Sequence, residues 1–493
     1  MKISNNPYRN ILKATTLLGG VEALNIVMAV AKSKIAALLI GVAGIGVLGV
    51  LNATIQFVFS LTRCGLDFSL VKEVASAPND LKNESISRLV GVSSRIVWFT
   101  GIIGALIILI GSPWLSQIAF GNKSYTISFM IVSIAVFFNQ LTVGNMAVLQ
   151  GLKSLRKLAK ATLMTSFFSL IVALGFYYYM GEKGIPYVIS GSAFVGFVFS
   201  KYFLYKLKIP VVNLSFREAL SEGKSMLKLG FVLSIGGLVG VFPIYLIQIF
   251  VANVGGITEV GFYNAGFIII HSYVAVFFSV LSKDFFPRLS EVATDDNLII
   301  TTVNEQALVS ILLLTPLIVI FIALAPIIIT ILYTSDFLPI LTMLIYGIIG
   351  ILFKVVSWSM GFIIIVKGNS KLYLKTEVIS NGIMLFLIAF GYSFYGLAGI
   401  GISYTIYYAS YYFLVRYIVS RKYHFTFTPR FNRLFFISLF QLAIILGTTF
   451  IENDIIKFCS MFIMVVISFS FAIIQLNNFM DLMLLIRNKF KNK

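Results

Sequence analysis

Residues 125–208 read YTISFMIVSIAVFFNQLTVGNMAVLQGLKSLRKLAKATLMTSFFSLIVALGFYYYMGEKGIPYVISGSAFVGFVFSKYFLYKLK. Three apolar runs of membrane length (125–149, 161–180 and 186–204) are separated by two gaps of opposite character. The first gap holds Lys153, Arg156, Lys157 and Lys160, and the second has Lys183 as its single basic residue. Basic residues return at the end of the third run and after it, with Lys201, Lys206 and Lys208. A helix needs about 20 apolar residues to cross a bilayer, and Lys and Arg collect in the loops on the cytoplasmic side. The stretch reads as a chain folded back and forth through a membrane.

Outward from it the same rhythm predicts about fourteen spans, near 11–31, 44–63, 89–111, 125–149, 161–180, 186–204, 229–251, 260–281, 306–332, 338–366, 376–393, 397–418, 434–450 and 456–484. Of the 38 Lys and Arg residues, 32 lie in the tails, the even gaps or the span ends that adjoin them, five in or beside the odd gaps, and one, Lys354, near the middle of a span. Both termini are therefore expected in the cytoplasm. At 59% hydrophobic and 12% charged residues, the 493-residue chain carries more apolar surface than a soluble domain needs. Its net charge of +19 is spread over short loops, which suits membrane orientation and anionic headgroups better than nucleic acid.

Cys64 and Cys459 lie at the inner end of one span and within another, so no disulfide is expected. A basic lead-in and Ala29-Val30-Ala31 fit a signal-peptidase pattern. Glu22 and Asn25 interrupt that apolar stretch, however, and cleavage would leave an odd number of spans, so the first span is read as retained. No gap is long enough for a folded domain, and no convergent acid/base or nucleophile set is visible. Both points weigh against an enzyme such as a polysaccharide polymerase or ligase, and no cofactor is expected.

The chain repeats itself at a period near 217 residues. Glu73-Val74-Ala75, before Ser76-Ala77-Pro78-Asn79-Asp80, is echoed by Glu291-Val292-Ala293, and Gly151 with its following lysines is echoed by Gly368. Each unit holds six spans, an even number, so the two units share one orientation. This predicts an all-α integral membrane protein: a six-helix lobe at 1–204, an amphipathic cytoplasmic linker at 205–228, a second six-helix lobe at 229–418, and two extra helices with a basic tail at 419–493. Gly44-x-Gly46-x-x-Gly49, with Asp67 following, matches a dinucleotide-binding pattern, but no strand precedes it. Its glycines read instead as a turn and a close helix approach.

Ionisable groups inside spans cost about 2.5–3.5 kcal/mol each on insertion scales and need a partner or a wet cavity. Glu22, His271 and Lys354 lie near the centres of their spans, and Arg63 closes the second. Asn52, Gln56, Ser60, Arg63 and Asp67 follow at helical steps and should share a face. Two roles are open for such groups, lining a cleft or fastening helices. We read Glu22, Arg63, His271 and Lys354 as cleft residues, and Asn139, Gln140 and Asn145 as fasteners. Glu22 is also a candidate latch towards His271 or Lys354. Tyr404, Tyr407, Tyr408, Tyr411 and Tyr412 suit either sugar stacking or an interfacial belt, the belt being the commoner cause.

With Gly41–Gly49, Gly65-Leu66-Asp67-Phe68-Ser69-Leu70-Val71-Lys72-Glu73 and Gln150-Gly151 before basic residues, the chain resembles the multidrug/oligosaccharidyl-lipid/polysaccharide exporter superfamily. Within it the likeness is to the polysaccharide-transporter branch, the Wzx-type O-antigen flippases. The resemblance implies a V-shaped pair of lobes that alternates access and moves an undecaprenyl-diphosphate-linked oligosaccharide to the periplasmic leaflet of a bacterial inner membrane. It brings a polysaccharide polymerase and a chain-length regulator into view as partners. The arginine set of the lipid II flippases has one counterpart here, Arg63, which argues against lipid II as cargo. On this reading Arg63, His271 and Lys354 attract the diphosphate, and Asn52, Gln56 and Asn264 bind sugar hydroxyls. Glu22 couples H+ or Na+ or acts as the latch, while Lys32 and Lys34 receive the headgroup at the outer mouth. A cation-coupled multidrug exporter of the same superfamily is the main alternative, and it would be expected to carry acidic groups in its cavity.

Overall fold

Backbone that crosses hydrocarbon must satisfy its own N–H and C=O groups, and this chain does so with helices. The computed structural model describes residues 7–76, 84–210, 212 and 214–480, and among them no strand occurs. In chain order the helices are α1 (Pro7–Thr62), α2 (Leu66–Ser76), α3 (Glu84–Phe120), α4 (Thr126–Gly151), α5 (Leu155–Met180), α6 (Ile185–Tyr205), α7 (Phe216–Glu222) and α8 (Lys224–Gly255). Then follow α9 (Ile257–Phe267), α10 (Val274–Glu291), α11 (Asp296–Leu332), α12 (Leu341–Val366), α13 (Ser370–Tyr423), α14 (Pro429–Thr448) and α15 (Asp454–Met480). A π turn, Ile268–Tyr273, joins α9 to α10.

Two helices are double spans. α1 bends at Gly41 (φ 63°, ψ −165°) and α13 at Gly396 (φ 55°, ψ −137°), a backbone region that glycine enters without a Cβ clash. With α9, the π turn and α10 taken as one span, and α2 and α7 set aside as short, the described residues contain fourteen spanning helices, the number expected. Where a loop was expected at 32–43, the chain stays helical up to a one-residue break at Gly41, because nothing between Ala36 and Ile40 opposes a helix. Several helices also outrun their apolar windows. α3 begins at Glu84 and α11 at Asp296, with polar first turns beyond the apolar stretch.

The internal repeat recurs in the backbone. Left-handed residues come in pairs about 215 positions apart: Gly41 and Gly256, Lys153 and Gly368, Gly181 and Gly396, Lys208 and His424. Each pair ends equivalent helices, so the repetition extends to the turns themselves.

The chain divides into two compact units, Met1–Gly261 with Leu332–Asp336, and Phe262–Ile331 with Phe337–Lys493. In the first, α8 lies against α1 and α2 at backbone distance. A Cβ on Gly65 would stand 2.3 Å from Gly230 O, and one on Gly46 would stand 2.0 Å from Ile257 O. Phe57 stacks on Tyr245 between these two points, with ring centroids 5.0 Å apart. The Gly44–Gly49 run is thus helical and serves close packing. The surface helix α7 starts with a capping box, Ser215 and Glu218, and Arg88 of α3 holds Glu222 at 2.7 Å. The loop 77–83 and the basic tail 481–493 lie outside the described residues.

Candidate functional site

In the second unit the π turn carries His271. Such turns insert one extra residue and re-aim side chains, and they recur at functional sites. The imidazole stacks on Phe267, with centroids 4.1 Å apart and planes 12° apart, and lies 4.9 Å from the Tyr404 ring. Its Nε2 is 3.0 Å from the Tyr408 hydroxyl. Lys354 occupies the midpoint of α12, with Nζ 5.0 Å from the Tyr408 ring centroid and 5.4 Å from that of Phe278. Tyr408 therefore joins the two expected site residues, its hydroxyl on the imidazole and its face on the ammonium. Among the described residues Lys354 has no carboxylate partner. Ring quadrupoles are what hold this cation, an interaction of about 2 kcal/mol when desolvated.

Further tyrosines extend the cluster. Tyr263 and Tyr404 share a hydroxyl contact of 3.3 Å, Tyr407 reaches Ser380 at 3.0 Å, and Tyr411 donates to Glu377 Oε1 at 2.8 Å. Tyr404, Tyr407, Tyr408 and Tyr412 are buried inside the unit, so the interfacial belt does not describe them. The cause is small residues on the packed faces. A Cβ on Gly350 would meet Thr405 Cα at 2.9 Å, and one on Gly401 would meet Met343 O at 2.4 Å, so α12 and α13 approach closely and cover the rings. Asn264 is buried as well, and its Nδ2 has no hydrogen-bond partner among the described residues.

In the first unit Arg63 ends α1. Its Nη1 lies 3.3 Å from Asp67 Oδ2, its guanidinium carbon lies 5.5 Å from the Phe59 ring centroid, and Gly237 of α8 leaves room beside Nη2. Arg63 Nε and Asp67 Oδ1 are buried with no hydrogen-bond partner among the described residues. The expected single stripe is divided here, because Cys64 and Gly65 both take positive φ and α1 stops before Asp67. The tight Gly65–Gly230 approach leaves the helix no room to continue. Asn52 and Gln56 are exposed, Ser60 is buried, and Glu22 is exposed on the first half of α1. Lys32 donates to Ser192 Oγ at 3.3 Å, and Lys34 donates to the Tyr333 carbonyl. Gln140 bonds Thr100 and Asn145 bonds Ser200. These are contacts between helices, of the fastening kind expected for them.

Phe267, Phe278 and Glu377 escaped sequence reasoning. Phe267 precedes His271 by four residues, a spacing that signals a helical neighbour. Glu377 sits at the start of an apolar run next to Lys375, which reads as an interfacial charge. Its tyrosine partner, 34 residues away in sequence, gave no signal.

Residues 35–342 match the family described as polysaccharide biosynthesis protein. The chain belongs to that family. No curated protein matches the chain significantly. Among solved structures it is similar to an inward-facing multidrug resistance MATE family transporter of the MOP superfamily, with TM-score 0.64 and 14% identity over 80% of this chain and 95% of that one. It is similar to the lipid II flippase MurJ in an inward closed conformation, with TM-score 0.64 and 15% identity over 96% of this chain and all of that one (100%). A MOP superfamily transporter from Pyrococcus furiosus, whose structure is described by the reverse polarity of its binding pocket, gives TM-score 0.53 and 14% identity over 81% and 95%. At such identities the likeness is one of fold. The fold is that of the MOP superfamily, and the protein is a multi-pass membrane protein.

Proposed function

We propose that this protein is a flippase that carries an undecaprenyl-diphosphate-linked oligosaccharide, of the O-antigen repeat-unit kind, from the cytoplasmic to the periplasmic leaflet of a bacterial inner membrane. The observation that carries this reading is Lys354, an ammonium at mid-helix with aromatic faces around it and no carboxylate among the described residues. A cation in low dielectric holds phosphate oxygens strongly, and a half-buried charge inside a span, with no counter-charge among the described residues, favours an anionic guest. His271 would add a second positive charge when protonated. Arg63, in the first unit, would offer phosphate a further cation by releasing Asp67. Asn264, whose Nδ2 has no hydrogen-bond partner among the described residues, and the exposed Asn52 and Gln56 would meet sugar hydroxyls.

The lobes at 1–204 and 229–418 would alternate access, with both termini cytoplasmic. Glu22 is the candidate for H+ or Na+ coupling or for the latch. Lys32 and Lys34 would release Ser192 and Tyr333 to receive the departing headgroup. A polysaccharide polymerase and a chain-length regulator are the partners such a flippase would serve.

Glu377 favours a second reading, a cation-coupled exporter, since a carboxylate hydrogen-bonded to Tyr411 could hold a cation. One pair of assays separates the two. Reconstituted protein should move a fluorescent undecaprenyl-diphosphate oligosaccharide between leaflets, and cells expressing it should not extrude ethidium. Ethidium efflux without lipid flipping would establish the exporter.

A further inference from the structure

The basic ends of α3 and α6, with the segment that follows α6, enclose a cavity of about 950 Å³ in the first unit. None of its lining residues belongs to the sites described above. One face of α3 walls it from Ser87 to Ile102, about 22 Å at 1.5 Å per residue. The character of that wall changes along its length. Ser87, Ser94 and Arg95 come first, followed by Trp98, Phe99 and Ile102, all three more than 40% exposed and so open to whatever surrounds the helix.

Lys201, Lys206 and Lys208 add charge at the polar end, while Phe216 of α7 adds to the apolar lining. Among the described residues none of Arg95, Lys201 and Lys208 is in an ion pair. Lys206 lies 4.4 Å from the Tyr202 ring centroid. A wall that runs from hydroxyls and cations to aromatic and aliphatic surface within one cavity has the polarity of an amphiphile with a negative head. Basic pockets between helices on the cytoplasmic side are where anionic headgroups bind.

We infer that this cavity binds an anionic diacyl phospholipid of the cytoplasmic leaflet, its phosphate among Arg95, Lys201 and Lys208 and its chains along Trp98, Phe99 and Ile102. The orientation rests on the basic loops being cytoplasmic, as in the reading above, but not on the cargo. The segment after α6 decides between a phospholipid and the lipid-linked cargo. It crosses α3 at Gly91, where a Cβ would stand 3.0 Å from Val212 O. This strap lies over the polar end and suits a compact headgroup better than one that carries a chain of sugars. A bound lipid would also fasten the strap, and α7 behind it, to α3.

The test uses the purified full-length protein in detergent, with bound lipid counted by native mass spectrometry and melting followed as lipid is added. Phosphatidylglycerol should bind at least about tenfold more tightly than phosphatidylcholine and raise the melting temperature. Arg95→Gln combined with Lys201→Gln should lower phosphatidylglycerol affinity about ten- to thirtyfold and leave phosphatidylcholine binding unchanged. Lys371→Gln with Lys375→Gln removes the same charge from α13 and should change nothing. If the double variant does not fold, Lys208→Gln alone should give a severalfold loss. Equal affinity for the two lipids, or full phosphatidylglycerol affinity in the Arg95/Lys201 variant, would overturn the assignment. Displacement of phosphatidylglycerol by equimolar undecaprenyl diphosphate would overturn it too, giving the site to the carrier. A flipping defect confined to Lys354 variants bears on the cargo and leaves this outcome untouched.

Discussion

Tyr408 makes two different contacts with one side chain, and substitution can separate them. Its hydroxyl meets His271 Nε2 and its face carries Lys354. Tyr408→Phe keeps the face and deletes the hydroxyl, a loss of about 1 kcal/mol and so roughly fivefold in flipping rate. Tyr408→Leu removes both contacts. With about 2 kcal/mol added for the desolvated cation–π contact, it should cost roughly a hundredfold. Rates measured in proteoliposomes, with melting temperature as the folding control, distinguish this ordering from a tyrosine that only fills space. In that case Phe would behave as wild type.

At the scale of elements, α8 depends on glycines at its crossing with α1 and α2. A Cβ on Gly230 would stand 1.8 Å from Cys64 O, which is backbone and cannot rotate away, whereas Gly236 has open space. Gly230→Ala should lower stability by about 1–3 kcal/mol or more, while Gly236→Ala should not, as a thermal melt of both variants would report. The short helix α7 responds to acid instead. Its Glu222 carboxylate is held below the ordinary range by the Arg88 hydrogen bond, and Glu218 is held below it by the Ser215 backbone N–H and hydroxyl. Groups depressed in the folded state stabilise above the unfolded value, about 4.3, and lose that contribution as pH falls through the lowered one. Hydrogen exchange on α7 should stay protected from pH 8 to 5 and accelerate below about pH 4. Acceleration already at pH 6 would show that other groups fasten it.

Spans were legible because twenty apolar residues bounded by lysines carry their own signal, and Lys354 was legible as a charge inside one. The Gly65 break was not. It is imposed by Gly230, which is 165 residues away and invisible to local pattern. The tyrosines of α13 were misjudged for a similar reason. Whether a tyrosine faces lipid or a neighbour depends on glycines such as Gly350, on another helix.

Over the whole molecule, the paired left-handed residues at 41/256, 153/368, 181/396 and 208/424 mark a duplicated chain. Two parallel repeats suit transport of a guest through the bilayer midplane. Moving about two negative charges outward from a negative interior gains about 4–5 kcal/mol per 100 mV. Flipping should therefore accelerate when valinomycin imposes that potential on proteoliposomes, and a rate independent of potential would remove the electrical contribution. The central claim is that the Lys354 ammonium receives the diphosphate. Its most direct measurement is the flipping rate of a fluorescent undecaprenyl-diphosphate oligosaccharide by Lys354→Met, a variant that keeps the length and apolar stem and loses the charge. The account predicts a fall of at least about tenfold with the protein still folded; a wild-type rate in that variant would contradict it.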